Sequence, residues 1–184
     1  MGKTKKETSI EEVINKRKSD LYTRLGYRSL FIRIILLIIV GYILFSQFFL
    51  IKQANGNGMF PAIKDGDLII GFRAQKKYLK NDVIEYKYNG STYLGRIVAC
   101  ENDVVTIDES GKLIVNGTVQ DGGIMYPTYM KEDSNLEYPY RVPDNCVFVL
   151  GDYRTQSEDS RDFGPISIKD IDGKVITILR RRGL

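Results

Sequence analysis

Apolar residues are concentrated in one long run near the N terminus. Residues 34–51 read IILLIIVGYILFSQFFLI without a charged side chain, and Arg33 and Lys52 flank the run. A segment of this length that is apolar on all faces can cross a bilayer as a helix. The pattern therefore predicts a transmembrane helix over 34–51, with a basic tail at 1–33 and a separate domain at 52–184.

The pattern changes beyond this run, where short apolar stretches alternate with turn residues. The clearest pair, 83–88 and 91–99, flanks an Asn-Gly turn at 89–90, and Asn-Gly supplies the positive φ angles of a type I′ hairpin. The predicted strands are 67–72, 83–88, 91–99, 104–107, 112–117, 146–150 and 174–179. Short strands separated by turns are typical of all-β domains. We predict a mainly β protein with an antiparallel barrel or sheet, and a loop or small subdomain at 119–142.

Charge predicts the side of the membrane on which each segment lies. Residues 1–33 carry nine basic side chains, and flanks rich in Lys and Arg stay cytoplasmic. They are Lys3, Lys5, Lys6, Lys16, Arg17, Lys18, Arg24, Arg28 and Arg33. Acidic residues interrupt this tail, which favours contact with membrane lipid over nucleic-acid binding. We expect a single-pass protein of the cell membrane, with a cytoplasmic N terminus and the bulk of the chain extracytoplasmic.

Composition excludes several catalytic classes. The 184-residue chain contains no histidine, which excludes Ser-His-Asp and Cys-His sites because both use imidazole as the base. Its two cysteines, Cys100 and Cys146, are too few for a structural zinc site. We predict neither a metal nor a cofactor. The sequence leaves open whether the two cysteines form a disulfide.

Three stretches carry the candidate chemistry of the second domain. They read GNGMFPAIKDGD at 56–67, YLGRIVACENDVV at 93–105 and FVLGDYRTQSEDSRDFGPI at 148–166. Together with one N-terminal anchor, they resemble type I signal peptidase, a membrane-anchored serine protease that trims signal peptides outside the cytoplasm. The third stretch is the most specific, because its Gly-Asp, Ser-x-Asp-Ser-Arg and Gly-Pro elements recur at the family's spacing. The resemblance implies a signal-peptidase-like β fold.

The two catalytic positions of that family are both glycine in this chain. The resemblance places the serine nucleophile at Gly58, before Met59, and the lysine general base at Gly95, before Arg96. In such a dyad a buried lysine loses its proton near neutral pH and accepts one from serine. Glycine has neither a hydroxyl nor an amine, and Arg96 stays protonated. The resemblance therefore implies that no catalytic dyad is intact.

The other residues of the family pattern are present. The resemblance implies that Arg96 pairs with Asp152, that Asp159 pairs with Arg161, and that Ser157 lies near the base position. Tyr153 departs from the pattern, because the family has Asn after Gly-Asp. The residues assigned to the peptide groove are Asn57, Met59, Phe60, Pro61 and Arg96.

With both catalytic positions replaced, the chain resembles the inactive signal-peptidase-like proteins of Gram-positive pilus assembly. The resemblance implies a chaperone or scaffold that binds an extended polypeptide without cleaving it, since this fold holds peptides as an added strand. Expected partners are membrane lipid, polypeptide clients such as pilin subunits, and a sortase. No nucleic acid is expected.

Two alternatives remain open at this point. The chain could be an active signal peptidase with a non-standard nucleophile, Ser157 or Ser160, and Asp159 or Lys64 as its partner. It could also be a membrane-anchored β domain that makes structural interactions only. The first alternative predicts turnover of a pre-protein that disappears when Ser157 or Ser160 is changed.

Overall fold

A long N-terminal helix precedes the β domain. The computed structural model describes residues 4–120, 122–132 and 134–180, and its first helix, α1, spans Thr4–Phe48. Its segment Glu12–Phe48 is long and apolar enough to cross a membrane. Helical structure thus begins far upstream of the apolar run, and residues 49–51, which the pattern assigned to the span, lie in a strand. The chain divides into two compact units after Ser46, and the site lies in the second.

Two antiparallel sheets make up the second unit. The strands are β1 Phe49–Gln53, β2 Leu68–Phe72, β3 Val83–Tyr88, β4 Ser91–Ala99, β5 Val104–Ile107, β6 Leu113–Val115, β7 Thr118–Val119, β8 Tyr140–Arg141, β9 Cys146–Leu150, β10 Ile166–Ser167 and β11 Ile171–Leu179. A short helix, α2 Ser160–Phe163, and a 3-10 turn, Ile168–Asp170, lie between β9 and β11. The larger sheet has the order β1-β2-β11-β3-β4-β9-β10, and the smaller β7-β6-β5-β8. The prediction of a mainly β, antiparallel domain is confirmed, and its strands form two sheets.

The β3–β4 hairpin matches the predicted turn. Asn89 and Gly90 have φ angles of 46° and 81°, and Tyr88 pairs with Ser91. The four strands that the pattern did not predict are β1, β7, β8 and β10, all of two to five residues. The two-residue strands β7, β8 and β10 carry too few alternating positions to be distinguished from loops, whereas β1 continues the apolar run that predicts the membrane span.

The segment 119–142 leaves and rejoins the smaller sheet. It begins at the last residue of β7 and contains β8, whose residues pair with Val104 and Val105 of β5. Residues 121 and 133 within it lie outside the described residues. A cluster of buried apolar side chains, including Val105, Val115 and Phe148, joins this sheet to β9. The segment is therefore attached to the domain through a packed core.

One edge of β4 is only partly covered. Over Ser91–Arg96 the strand pairs with β3, but its pairing with β9 on the other side begins at Arg96. Within the described pairings, Ser91–Leu94, which are exposed or half-buried, thus have one row of backbone donors and acceptors without a neighbouring strand. Unpaired strand edges of this kind accept an added strand.

The two cysteines are free thiols. Cys100 packs against the cluster of Ile84, Tyr86 and neighbouring apolar residues, and Cys146 against the cluster that contains Phe148. Burial raises the pKa of both thiols. They are thus structural side chains with low thiolate character.

Candidate functional site

The loop between β1 and β2 carries the first motif and is held by its own backbone. Ala54 N–H donates to Asp67 C=O at 2.7 Å, and Gly66 N–H returns to Ala54 C=O at 2.9 Å. Met59 and Ile63 are 2% and 1% exposed and anchor the loop in the core. These contacts fix the conformation of the loop that carries Gly58.

Gly58 lies beside Ser157. A β-carbon added at Gly58 would meet Ser157 Cβ at 3.8 Å, an ordinary van der Waals distance. The C=O of Gly58 accepts a hydrogen bond from Tyr153 N–H at 3.0 Å, and the Tyr153 ring lies 5.8 Å from the Phe60 ring. The structure thus brings the first and third motifs together, with room for a side chain at Gly58.

Gly95 has no such room. A β-carbon there would overlap Val149 Cγ1 and lie 3.3 Å from Tyr86 Cε1 and 3.5 Å from Leu150 C=O. Tyr86 is fully buried, and its hydroxyl has no hydrogen-bond partner among the described residues. The position that the resemblance assigns to the base is therefore closed over by an aromatic ring and a valine.

Ser157, Asp159 and Arg161 form one buried network. Ser157 Oγ donates to Asp159 Oδ2 at 2.7 Å, and Arg161 binds both Asp159 oxygens, Nε–Oδ1 at 2.9 Å and Nη2–Oδ2 at 2.8 Å. Gly151 N–H also donates to Asp159 Oδ2, at 3.0 Å. All three side chains are at most 3% exposed. The Ser157 hydroxyl thus donates its proton to the Asp159 carboxylate, which also forms an ion pair with Arg161.

Arg96 and Asp152 form a second, bidentate pair. Nε lies 2.8 Å from Oδ1 and Nη2 lies 2.6 Å from Oδ2, while Nη1 donates to Asn81 C=O. The hydrogen bond with Asp152 raises the pKa of Arg96. The pair ties β4 to the start of the third motif.

The sequence does not indicate two further residues near the site, Lys131 and Arg154. Lys131 Nζ donates to Ser157 C=O at 3.0 Å and lies 3.3 Å from Asp162 Oδ1. Arg154 is 4% exposed and donates to Gly151 C=O, and burial lowers its pKa to about 10. Lys131 belongs to the irregular segment 119–142, where no spacing relates it to the motifs.

An open cavity lies next to these groups. Its volume is about 240 Å³. Its lining includes Gly58, Met59 and Ser157 on one side and Thr92, Tyr93 and Leu94 of β4 on the other. The uncovered edge of β4 therefore forms a wall of the cavity beside Gly58.

Of the residues proposed for an alternative nucleophile and its partner, Ser157 contacts Asp159, whereas among the described residues no hydrogen bond joins Lys64 to Ser157 or Ser160. Ser160 Oγ accepts from Val149 N–H at 2.9 Å and is fully buried. Lys64 is exposed, with Nζ 5.8 Å from the Phe60 ring centre. Among the described residues, no cluster of His, Cys, Asp and Glu has metal-binding geometry.

Comparison with known proteins gives consistent matches. The family model "Signal peptidase, peptidase S26" matches residues 27–179. Signal peptidase I of Bacillus caldolyticus is 32% identical over 135 residues, 66% of this chain and 74% of that protein. Signal peptidase IB of Staphylococcus aureus is 28% identical over 165 residues, 80% of this chain and 84% of that protein.

Two further matches differ in coverage. Thylakoidal processing peptidase 1 of Arabidopsis thaliana is 31% identical over 142 residues, 68% of this chain and 40% of that protein. The chain thus spans about two fifths of that relative's length. A crystal structure of a signal peptidase I from Enterococcus faecalis aligns with a TM-score of 0.44 at 25% identity, and covers 56% of this chain and all of that one.

Proposed function

Because this chain belongs to the signal peptidase S26 family, we propose that it binds extended polypeptides without cleaving them. The observation that carries the proposal is the pair of glycines at the two family catalytic positions, Gly58 and Gly95. A serine–lysine mechanism needs an attacking oxygen and a proton acceptor at those positions. Neither glycine supplies one.

The surrounding groups support this proposal because none replaces the missing dyad. The hydroxyl beside Gly58 belongs to Ser157, which donates to Asp159. A useful base has a pKa near the working pH and reaches the nucleophile's proton. Asp159 is paired with Arg161, and Lys131 contacts the carbonyl of Ser157 instead of its hydroxyl.

The open edge of β4 supports the binding half of the proposal. A polypeptide that lies along Ser91–Leu94 pairs with the exposed backbone groups and places its side chains in the cavity beside Gly58. Main-chain pairing provides affinity with little dependence on client sequence, as a chaperone requires. The small glycine leaves the floor of the cavity open.

Helix α1 supports a membrane-bound location for this activity. Its apolar part is long enough to span a bilayer, and the basic residues precede it. By the positive-inside rule we place the N terminus in the cytoplasm and the β domain outside, with one membrane crossing. Clients would then be met as they emerge from the membrane.

For the biological setting we propose surface pilus assembly, with pilin subunits as clients and a sortase as the enzyme that acts on them. This step rests on the likeness to inactive signal-peptidase-like proteins and not on a contact in the structure. Deletion of the gene should abolish surface fibres while general secretion continues. Unchanged fibres would remove the pilus assignment and leave the binding proposal standing.

Photo-crosslinking in cells tests the binding proposal itself. A photoreactive amino acid at Thr92, on the open edge, should capture polypeptide clients, whereas the same group at the exposed Glu109, in the turn between β5 and β6, should not. Captured clients should retain their uncleaved length. Equal capture at both positions would contradict the proposed groove, and truncated clients would favour an active peptidase.

A further inference from the structure

A second cavity continues from the one beside Gly58. Its volume is about 350 Å³, and the two cavities share Asn55, Thr92, Tyr93 and Leu94. One wall is the uncovered half of β4, and the other is β1, which ends the larger sheet. A strand added along β4 would therefore place side chains in both cavities, because alternate residues of a strand point to the same face.

The second cavity contains a buried carboxylate with an unused oxygen. Glu85 lines it and is only 3% exposed. Glu85 Oε1 accepts from Lys52 Nζ at 2.9 Å, but Oε2 is buried without a hydrogen-bond partner among the described residues. A buried acceptor without a donor is unfavourable, and more so when it is charged. A donor that enters the cavity would remove this penalty.

The lysine beside Glu85 has a second acid within reach. Lys52 Nζ lies 3.7 Å from Asp172 Oδ2, and its side chain is 38% exposed. It is thus well solvated, and can remain paired with Asp172 while another cation approaches Glu85. Asp172 is also contacted by Lys87, at 3.1 Å. Lys52 therefore has two carboxylates within reach and does not depend on Glu85 alone for an opposite charge.

We propose that this cavity selects a lysine or arginine side chain of the bound polypeptide, with its charged head on Glu85 Oε2. The proposal rests on the proposed function, because it assumes a polypeptide along β4. Ile69 is 1% exposed and Leu94 is half-buried, and both line the cavity. They offer apolar surface to the aliphatic stem that lysine and arginine carry below the charge. Glu85 is thus a specificity-determining residue of the groove.

Paired peptides that differ by one charge test this inference. Extended alanine-based peptides with lysine or norleucine at a single scanned position are titrated against the full chain in nanodiscs by fluorescence anisotropy. Norleucine keeps the aliphatic stem and lacks the ammonium group. At one position we expect the lysine peptide to bind about tenfold more tightly, as one charge-assisted hydrogen bond allows. Glutamate at that position should weaken binding.

Variants attribute the preference to Glu85. Glu85→Gln should reduce the ratio of the affinities for the lysine and norleucine peptides to about one. The amide keeps the shape of the Glu85 side chain but lacks its negative charge. Lys52→Gln should raise the ratio, because the competing cation is removed. Glu109→Gln, in the exposed turn between β5 and β6, should leave the affinity ratio unchanged.

Two outcomes overturn the inference in distinguishable ways. If peptides bind but lysine shows no advantage at any position, or its advantage survives Glu85→Gln, the specificity assignment is wrong and the proposed function stands. If no peptide binds to the folded chain, the proposed function fails and the inference fails with it.

Discussion

The packing at Gly95 predicts that a substitution there destabilises the protein, whereas the same substitution at Gly58 does not. Gly95→Ala places a β-carbon in overlap with Val149 Cγ1 and 3.3 Å from Tyr86 Cε1. Overpacking a close-packed core by one methyl group costs about 1–3 kcal/mol. The loss of glycine's flexibility in the unfolded chain returns about 0.4–1 kcal/mol. We therefore expect Gly95→Ala to lower the free energy of unfolding by about 1–2 kcal/mol.

Gly58→Ala is the matched control. Its added β-carbon meets only Ser157 Cβ, at 3.8 Å, and Gly58 has no positive φ angle. The free energy of unfolding should be unchanged or higher by up to about 1 kcal/mol. Chemical denaturation of the full chain in detergent, followed by near-ultraviolet circular dichroism of its tyrosines, measures both values. Equal stability of the two variants would refute the packing argument.

A double-mutant cycle identifies the overlapping side chain. Val149→Ala alone should destabilise the domain, because Val149 is fully buried. Combined with Gly95→Ala it should cost less than the sum of the two single changes, since the overlap is removed. Additive effects would show that Val149 does not oppose the new methyl group.

The same contact bears on restoring catalysis. From the sequence alone, Gly58→Ser with Gly95→Lys is expected to return some cleavage of a pre-protein. The structure changes this expectation, because the lysine stem has to displace Val149. We expect turnover only when Val149→Ala is added. Turnover by the double variant without that change would contradict the closed base position.

Three further predictions concern buried charges and titration. Asp159→Ala leaves Arg161 buried without its partner and should cost about 3–5 kcal/mol of stability. Arg96→Met should destabilise more than Arg96→Met with Asp152→Leu, because the single change leaves a buried, unpaired carboxylate. Burial raises the pKa of Tyr138 to about 12, above about 10 in the unfolded chain. Stability should therefore fall as the pH rises between those values, and fall less in Tyr138→Phe. Denaturation curves check all three.

Much of the architecture could be predicted because local signals were strong. The Asn-Gly turn at 89–90 set the register of β3 and β4, since both residues adopt the positive φ angles that the turn requires. The short β1 was assigned to the membrane span, because its apolar residues continue the hydrophobic run. Its strand conformation depends on pairing with β2, a contact that hydropathy does not encode.

The site could be predicted only as far as the motifs reach. The family resemblance implied which residues meet, and the structure places Arg96 on Asp152 and Arg161 on Asp159. The overlap at Gly95 could not be predicted, because it depends on how tightly β4 and β9 pack. The unpaired oxygen of Glu85 is likewise a three-dimensional property, since the sequence VIEYKY shows only a charge within a strand.

The central claim is that this chain holds polypeptides and does not cut them. The most direct measurement incubates the full chain in nanodiscs with a pre-protein that carries its signal peptide, and records binding and cleavage in the same sample. The account predicts a bound pre-protein of unchanged mass, with Ser157→Ala indistinguishable from the parent chain. Cleavage at a single bond that disappears in Ser157→Ala would contradict it.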